Sequence, residues 1–304
     1  MRHDLGRLPP TVSVIVPVRN DASGLATLLP ALLAQTYPRE RTQVLVIDNG
    51  STDDSLQVAR WFAQEHPALV HVLVEPTPGS YAARNTGLRM ASGDILAFTD
   101  ADCTPDPDWL AAGVRALRDQ AADLAGGRVA FRLPPQPSAA ALYDAISNMR
   151  TWHTVRMIGV TATANLFATR RVVETIGFFP GHVRSGGDAI WTHRATRAGL
   201  TLAYAPNAMV SHPTRELGPL LARCRRVGSG QPAVWQELGY PWWRACLALL
   251  RGLLPRSARS LRTMAQERGI AFSGQQMLRV WWVSWACSLA GTWGRLGGLL
   301  HRSR

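Results

Sequence analysis

Over the first hundred positions apolar residues come in short runs, and each run stops at a polar residue. Val12-Ser13-Val14-Ile15-Val16-Pro17 has the length and residue types of a strand, and a helical stretch follows from about Ala22 to Gln35. Val44 to Asp48 is a second strand. Asn49-Gly50-Ser51-Thr52-Asp53-Asp54 reads as a turn and helix start, with Ser51 as the cap and acids in the first turn of a helix reaching about Gln64. Val70 to Glu75 is a third strand, Gly79 to Met90 a loop and helix, and Ile95 to Thr99 a fourth strand. Strands alternating with helices predict an α/β fold, a mostly parallel sheet flanked by helices. The polar residues at the strand ends are Asn20, Asp48, the 79–85 loop, Asp100 and Asp102. They would converge along one edge of the sheet, which suits a nucleotide-sized site.

The fourth run delivers two carboxylates two positions apart, Asp100 and Asp102, where the strand ends. Carboxylates so spaced suit a hard divalent cation, and such a cation suits a diphosphate. The same residues also read as a polar turn, because Cys103-Thr104-Pro105-Asp106-Pro107 follows at once. No Gly-x-Gly-x-x-Gly follows the first strand and no Gly-x-x-x-x-Gly-Lys-Ser/Thr occurs, which disfavours the ordinary dinucleotide fold and the phosphate-loop ATPases.

Charge changes the picture after residue 214. Residues 1–214 hold 19 Arg against 18 acids, whereas residues 215–304 hold 14 Arg against 3 acids and seven of the 11 Trp. Lys is absent, and the abundance of Arg and Ala points to a high-GC bacterial genome. A near-neutral globular part is thus followed by a basic, Trp-rich region. Tryptophans on apolar segments favour an anionic membrane surface over nucleic acid as its partner. Met1 to Pro10 shows no secretory signal and reads as a tail. Cys103, Cys224, Cys246 and Cys287 have no metal or disulfide spacing, which fits a reducing cytosol.

Four motifs carry a resemblance: Val14-Ile15-Val16-Pro17-Val18-Arg19-Asn20, Val46 to Asp54, Ala83-Arg84-Asn85-Thr86-Gly87, and Phe98 to Asp102. In this order and spacing they resemble family 2 glycosyltransferases, inverting enzymes of the Rossmann-like GT-A fold, over roughly residues 11 to 214. The resemblance implies that Pro17, Val18 and Asn20 line a nucleotide pocket and that Asp48 meets the base or ribose. It places Gly79 and Ser80 against the nucleotide and Arg84 near its diphosphate. Asp100 and Ala101 would face the nucleotide sugar, and Asp102, with Asp100, would hold Mg2+ or Mn2+. Asp48 as a turn former and Arg84 as a surface ion pair remain alternatives.

Asn165 to Phe179 resembles the acceptor-side segment of that family, with Asn165 and Trp191 on the acceptor side; Arg170 and Arg171 read as helix decoration. In Ser185-Gly186-Gly187-Asp188-Ala189-Ile190, Asp188 matches the residue that acts as general base. Gly187 and Ile190 depart from the acids common there. An inverting transfer needs one carboxylate to take the acceptor proton. Asp188 also reads as a helix N-cap. His212, at the end of a strand-like run, matches a metal ligand of GT-A enzymes or is structural.

Arg223, Arg225 and Arg226 lie on a helix followed by a glycine-rich turn, and would contact phosphate or anionic lipid. Two amphipathic segments follow, 241–254 and 280–300, the second with Gly291, Gly294, Gly297 and Gly298 weakening it as a helix. They read as lying on a membrane, or packing on the catalytic part or a second copy in a homodimer. The expected organisation is a tail at 1–10, a nucleotide-sugar half at 11–130, an acceptor half at 131–214 and a helical membrane-associating extension at 215–304. The expected activity is transfer from a nucleoside-diphosphate sugar, UDP favoured, to a glycan or lipid-linked hydroxyl acceptor for cell-surface glycan at the inner face of the cell membrane. Transfer to a polyprenyl phosphate and an inactive sugar-nucleotide-binding subunit are the alternatives.

Overall fold

The computed structural model describes residues 8–181 and 183–300. Of the expected tail, residues 1–7 lie outside the described residues, as do 301–304 of the extension. In chain order the elements are β1 (Val12–Val18), α1 (Ala22–Leu33), β2 (Thr42–Asp48), α2 (Ser55–Glu65), β3 (Val70–Val74), α3 (Ser80–Met90) and β4 (Ile95–Thr99). β5 (Thr104–Pro105), α4 (Trp109–Asp119), β6 (Leu124–Arg132), α5 (Ala139–Ser147), α6 (Thr151–Ile158), β7 (Asn165–Thr169), α7 (Arg170–Ile176), α8 (Gly187–Arg197) and β8 (Leu202–Pro213) follow. Four helices end the described chain: α9 (Leu217–Glu237), α10 (Trp242–Leu253), α11 (Ala258–Glu267) and α12 (Gly274–Leu300).

The chain divides into two compact units. The first holds residues up to 130 with 151–182 and 191–212; the second holds 131–150, 183–190 and 213 onward. The segment 131–214 is therefore shared between them.

The first unit is built on the sheet, in the order β3-β2-β1-β4-β7-β6-β8-β5. β1 to β4 pair with one another in parallel, while β7 runs antiparallel to β4 and to β6. β1 and β4 are buried along their whole length, as parallel strands covered on both faces require. Phe98 of β4, Phe179 and Trp191 of α8 form an aromatic cluster, with ring centroids 4.5 Å apart for Phe179 and Trp191. Strand order reverses at β1, which has β2 on one side and β4 on the other. Such a switch point opens a crevice at the carboxyl ends of the strands. Val18 pairs with Asp48 and Ile15 with Phe98, so the residues after β1, β2 and β4 are adjacent at that edge. Neighbouring strands are spaced by about 4.8 Å, so Asp48 and Asp100 start roughly 10 Å apart across β1.

The second unit is helical. Its core draws Leu142, Tyr143 and Ile146 from α5, Leu220 from α9, Leu261 and Met264 from α11, and Val280 and Cys287 from α12. The glycine-rich turn expected after Arg226 does not form; α9 runs unbroken through Gly228 and Gly230. Likewise the glycines of 280–300 do not interrupt α12, which is continuous. The cause is a close helix–helix seam. A Cβ on Gly228 would strike the Gly291 carbonyl, one on Gly294 the Arg225 carbonyl, and one on Gly298 the Ser229 carbonyl. Each helical glycine costs about 1 kcal/mol relative to alanine, and backbone approach along the seam offsets that cost.

α10 is turned inside out for a water-facing helix. Trp242, Leu250 and Leu253 are 79%, 62% and 52% exposed. On α12, Leu278, Trp282, Leu289, Trp293, Leu296 and Leu300 form an exposed apolar stripe. Trp281 packs against the core, and Trp285 donates its indole N–H to the Leu253 carbonyl at 2.9 Å. Among the described residues no helix is long and apolar enough to cross a membrane.

Candidate active site

The crevice edge is assembled by turns that follow the buried strands. Asp48 ends β2 and is 3% exposed. Its Oδ2 accepts the N–H groups of Gly50 (3.2 Å) and Ser51 (3.3 Å), while its Oδ1 is buried without a hydrogen-bond partner. Asp48 thus forms a turn and also holds one buried lone-pair site open. Asn20, at φ 54°, follows β1; its Oδ1 accepts from Thr52 N–H at 2.7 Å and its own N–H donates to Ser51 Oγ at 3.1 Å. Ser51 therefore ties two edge loops together and does not cap α2, which starts at Ser55. Asp53 Oδ1 accepts the Ser55 N–H at 3.0 Å instead.

Sequence reasoning passed over Asn49. Its amide donates to the carbonyls of Glu75 (2.9 Å) and Thr77 (2.8 Å) and accepts the Gly79 N–H (2.7 Å), fastening the loop before α3. Gly79 sits at φ 131°, a conformation that only glycine adopts readily, and Ser80 opens α3. One turn on, Arg84 is 3% exposed. It donates to Asp100 Oδ1 at 2.5 Å and to the Ser80 carbonyl at 3.4 Å, and lies over the Tyr81 ring at 5.7 Å. Its Nε is buried without a partner. The ion pair is part-buried, so it is held more firmly than a surface one. Asp100 Oδ1 anchors the Arg84 guanidinium, and the Asp100 side chain is 32% exposed. Ala101 is buried behind it.

Asp102 and His212 come together. His212 Nε2 lies 3.1 Å from Asp102 Oδ2; the histidine side chain is 1% exposed and the carboxylate 33%. They lie more than a hundred residues apart, on the β4 end and on β8. Asp21, a second residue missed in the sequence, caps α1 by accepting the Gly24 N–H at 3.0 Å. Burial raises the Asp21 pKa, and the Asp102 charge adds to that rise. Next to Asp102, burial and the Asp100 and Asp102 charges push the Cys103 thiol well up, leaving it unreactive. Among the described residues no three His, Cys, Asp or Glu side chains form a ready-made metal cage. A carboxylate and an imidazole side by side, the carboxylate part exposed, still fit a divalent cation that takes its remaining ligands from phosphate and water.

Asn165 and Trp191 are not available to an acceptor. Asn165 is 1% exposed; it accepts the Trp109 indole N–H and donates to the carbonyls of Arg128 and Ala208, each at 2.9 Å. Trp191 is fully buried and donates to the Gly177 carbonyl at 2.9 Å. Both are framework groups. Arg170 donates to the carbonyls of Ala91 and Gly93, tying α7 to the turn before β4, and Arg171 pairs with Asp123 at 3.2 Å.

In the second unit, Asp188 lies within the first turn of α8 and not at its cap; its Oδ1 accepts the Ala189 N–H at 3.0 Å. Arg225 and Arg226 are exposed on α9, whereas Arg223 is half-buried and donates to the Asn148 amide oxygen.

A family model described as Glycosyl transferase family 2 matches residues 13–168. The chain is 40% identical to Glycosyltransferase AglE of Haloferax volcanii over 96% of its own length and 97% of that protein's. It is 30% identical to a Pre-mycofactocin glycosyltransferase of Mycobacterium tuberculosis over 67% of this chain and 43% of that one. A mannosyltransferase from Pyrobaculum calidifontis, solved with GDP-Man and Mn2+, superposes with a TM-score of 0.62 at 23% identity, covering 95% of this chain and 88% of the other. TarS of S. aureus, solved with UDP, superposes with a TM-score of 0.53 at 20% identity, covering 72% and 64%. The fold is that of the GT-A glycosyltransferases.

Proposed function

The chain belongs to glycosyl transferase family 2, and from that premise we propose that it moves a sugar from a nucleoside-diphosphate sugar to a hydroxyl acceptor with inversion at the anomeric carbon. The observation that carries this reading is the row at the carboxyl ends of β2 and β4: Asp48 with an unpartnered buried oxygen, the Arg84–Asp100 pair, and Asp102 beside His212. Asp48 Oδ1 is suited to accept a hydrogen bond from a base or ribose. Arg84, fixed by Asp100, presents positive charge toward a diphosphate. Asp102 and His212 would hold Mg2+ or Mn2+. A bound cation there supplies positive charge that stabilises the departing diphosphate. Asp188 takes the proton from the acceptor hydroxyl as its oxygen bonds to the anomeric carbon and the bond to the nucleoside diphosphate breaks. One carboxylate suffices, unlike the pair a glycosidase needs. The acceptor is a glycan or lipid-linked glycan, and the exposed apolar faces of α10 and α12 support work at a membrane surface.

UDP is the favoured nucleotide, and GDP is the second reading because the Pyrobaculum mannosyltransferase was solved with GDP-Man. Thermal shifts with UDP, GDP and dTDP, each with Mn2+ or with EDTA, test the site. One nucleotide at a hundred times its Kd should stabilise the protein by about 2.7 kcal/mol, and only with metal. No shift with any of the three would count against the nucleotide site, and so against both the transferase and the inactive sugar-nucleotide-binding subunit.

A further inference from the structure

The helical unit contains a cavity of about 890 Å3 bordered by α5, α9, α10 and α12. Five arginines line it, Arg223, Arg244, Arg251, Arg256 and Arg295, and no aspartate or glutamate does. Among the described residues none of the five makes an ion pair. Neutral groups hold three of them. Arg223 donates to the Asn148 amide oxygen. Arg295 donates to Gln231 Oε1 at 2.5 Å and to the Ala248 carbonyl at 3.2 Å. Arg244 lies over the rings of Tyr240 and Trp243, at 5.2 and 5.4 Å. Burial lowers the pKa of Arg223 and of Arg295. Arg223 and Arg295 are thus partly dehydrated without an ion pair, although the Asp144 charge reaches Arg223, while Arg244, Arg251 and Arg256 are exposed. Such an arrangement is costly unless an anion arrives from outside.

The rest of the wall is mixed: Trp243, Leu247 and Leu254 from α10 and its end supply apolar surface, beside Ser147, Asn148, Gln231 and Ser288. Trp243, Arg244, Leu247, Arg251 and Gly252 recur at helical spacing, so one face of α10 looks into the cavity. The opposite face carries the exposed Trp242, Leu250 and Leu253. A helix with arginines inward and its apolar face outward fits a ligand with a charged head and an oily tail.

We propose that this cavity binds the head of a phosphate or diphosphate monoester carried on a long apolar chain. A phosphomonoester carries about two negative charges near neutral pH and forks onto several guanidinium groups, which matches five arginines better than the single charge of a phosphodiester headgroup. Of the expected contacts Arg223, Arg225 and Arg226, only Arg223 takes part. As an acceptor site the cavity rests on the transferase reading; as a binding site it does not.

Calorimetric titration of the full chain in EDTA tests it with farnesyl diphosphate, inorganic pyrophosphate and farnesol. Farnesyl diphosphate should bind about tenfold or more tighter than either fragment, and UDP should not displace it. R251Q/R256Q, at two exposed cavity arginines, should weaken it by about tenfold with an unchanged Tm and an unchanged nucleotide shift. Equal binding of pyrophosphate or of farnesol, displacement by UDP, or an unaffected variant would each overturn the proposal. So would phosphatidylglycerol vesicles that compete as well as farnesyl diphosphate. Farnesyl diphosphate binding without any nucleotide shift would sink the transferase reading alone.

Discussion

In the sheet unit Arg84 meets Asp100, Arg171 meets Asp123 and His212 meets Asp102; in the helical unit Arg150 meets Glu267 and Arg215 meets Asp144, but five further arginines share one cavity that no acid lines. The two units also place their apolar surface differently. The sheet unit encloses it in strands buried on both faces, while the helical unit leaves rows of Trp and Leu on the outside of α10 and α12. The first unit leaves single buried atoms unpartnered at its crevice edge, Asp48 Oδ1 and Arg84 Nε, where a substrate can meet them. The second has unmet charge within and unmet apolar surface without, so both an anion and an oily surface are missing partners.

Removing the base separates chemistry from binding most sharply. Asp188→Asn should cut transfer by about 10²–10⁴-fold while leaving the nucleotide-induced thermal shift intact, as read by product formation and by melting. Retained turnover would break the assignment. Next in size is the part-buried ion pair. Arg84→Ala leaves Asp100, a third exposed, without its partner and should cost about 1.5–3 kcal/mol in denaturant unfolding, whereas Arg251→Gln, with no acid to strand, should change stability by at most about 0.5 kcal/mol. Equal effects would erase the contrast between the units. The seam comes third: Gly228→Val puts a side chain against the Gly291 carbonyl and should cost about 1–3 kcal/mol. Leu250→Asp with Trp293→Asp should abolish co-sedimentation with anionic vesicles at unchanged Tm; continued pelleting would show that the outward faces do not touch lipid. The smallest effect is chemical. A hydrogen bond from Cys287 lowers the Cys224 thiol to about 7 and raises that of Cys287. Because the thiolate is the reactive form, iodoacetamide labelling of Cys224 should rise through about pH 7 while Cys103 stays unlabelled until unfolding.

The first four strands were legible because parallel strands buried on both faces leave long apolar runs, and the edge residues were legible because each run stops at a polar residue. The antiparallel part was not. β6 contains Gly126 and Gly127, which read as breakers, yet Gly127 lies against the Asn165 side chain and Gly126 against Thr161. The same blindness hid α9 and α12, whose glycines serve contacts with residues far along the chain. Asp102 and His212 were expected in one metal site; that Asp100 would turn to Arg84 depends on the height of α3 above the sheet, which no local pattern encodes. Asn165 and Trp191 look like ligand-binding types in sequence, and only their burial reveals that they tie the framework.

The seam between α9 and α12 also sets an order of events. Local helices form in under a microsecond to microseconds, but a surface shared by distant segments waits for loop closure. Gly228 finds Gly291 only after α10 and α11 have been laid down between them. The arginine cavity, whose walls come from both sides of that seam, is therefore assembled last. A ribosome stall or truncation between β8 and α12 leaves every strand of the sheet synthesised but the arginine cavity without its α12 wall.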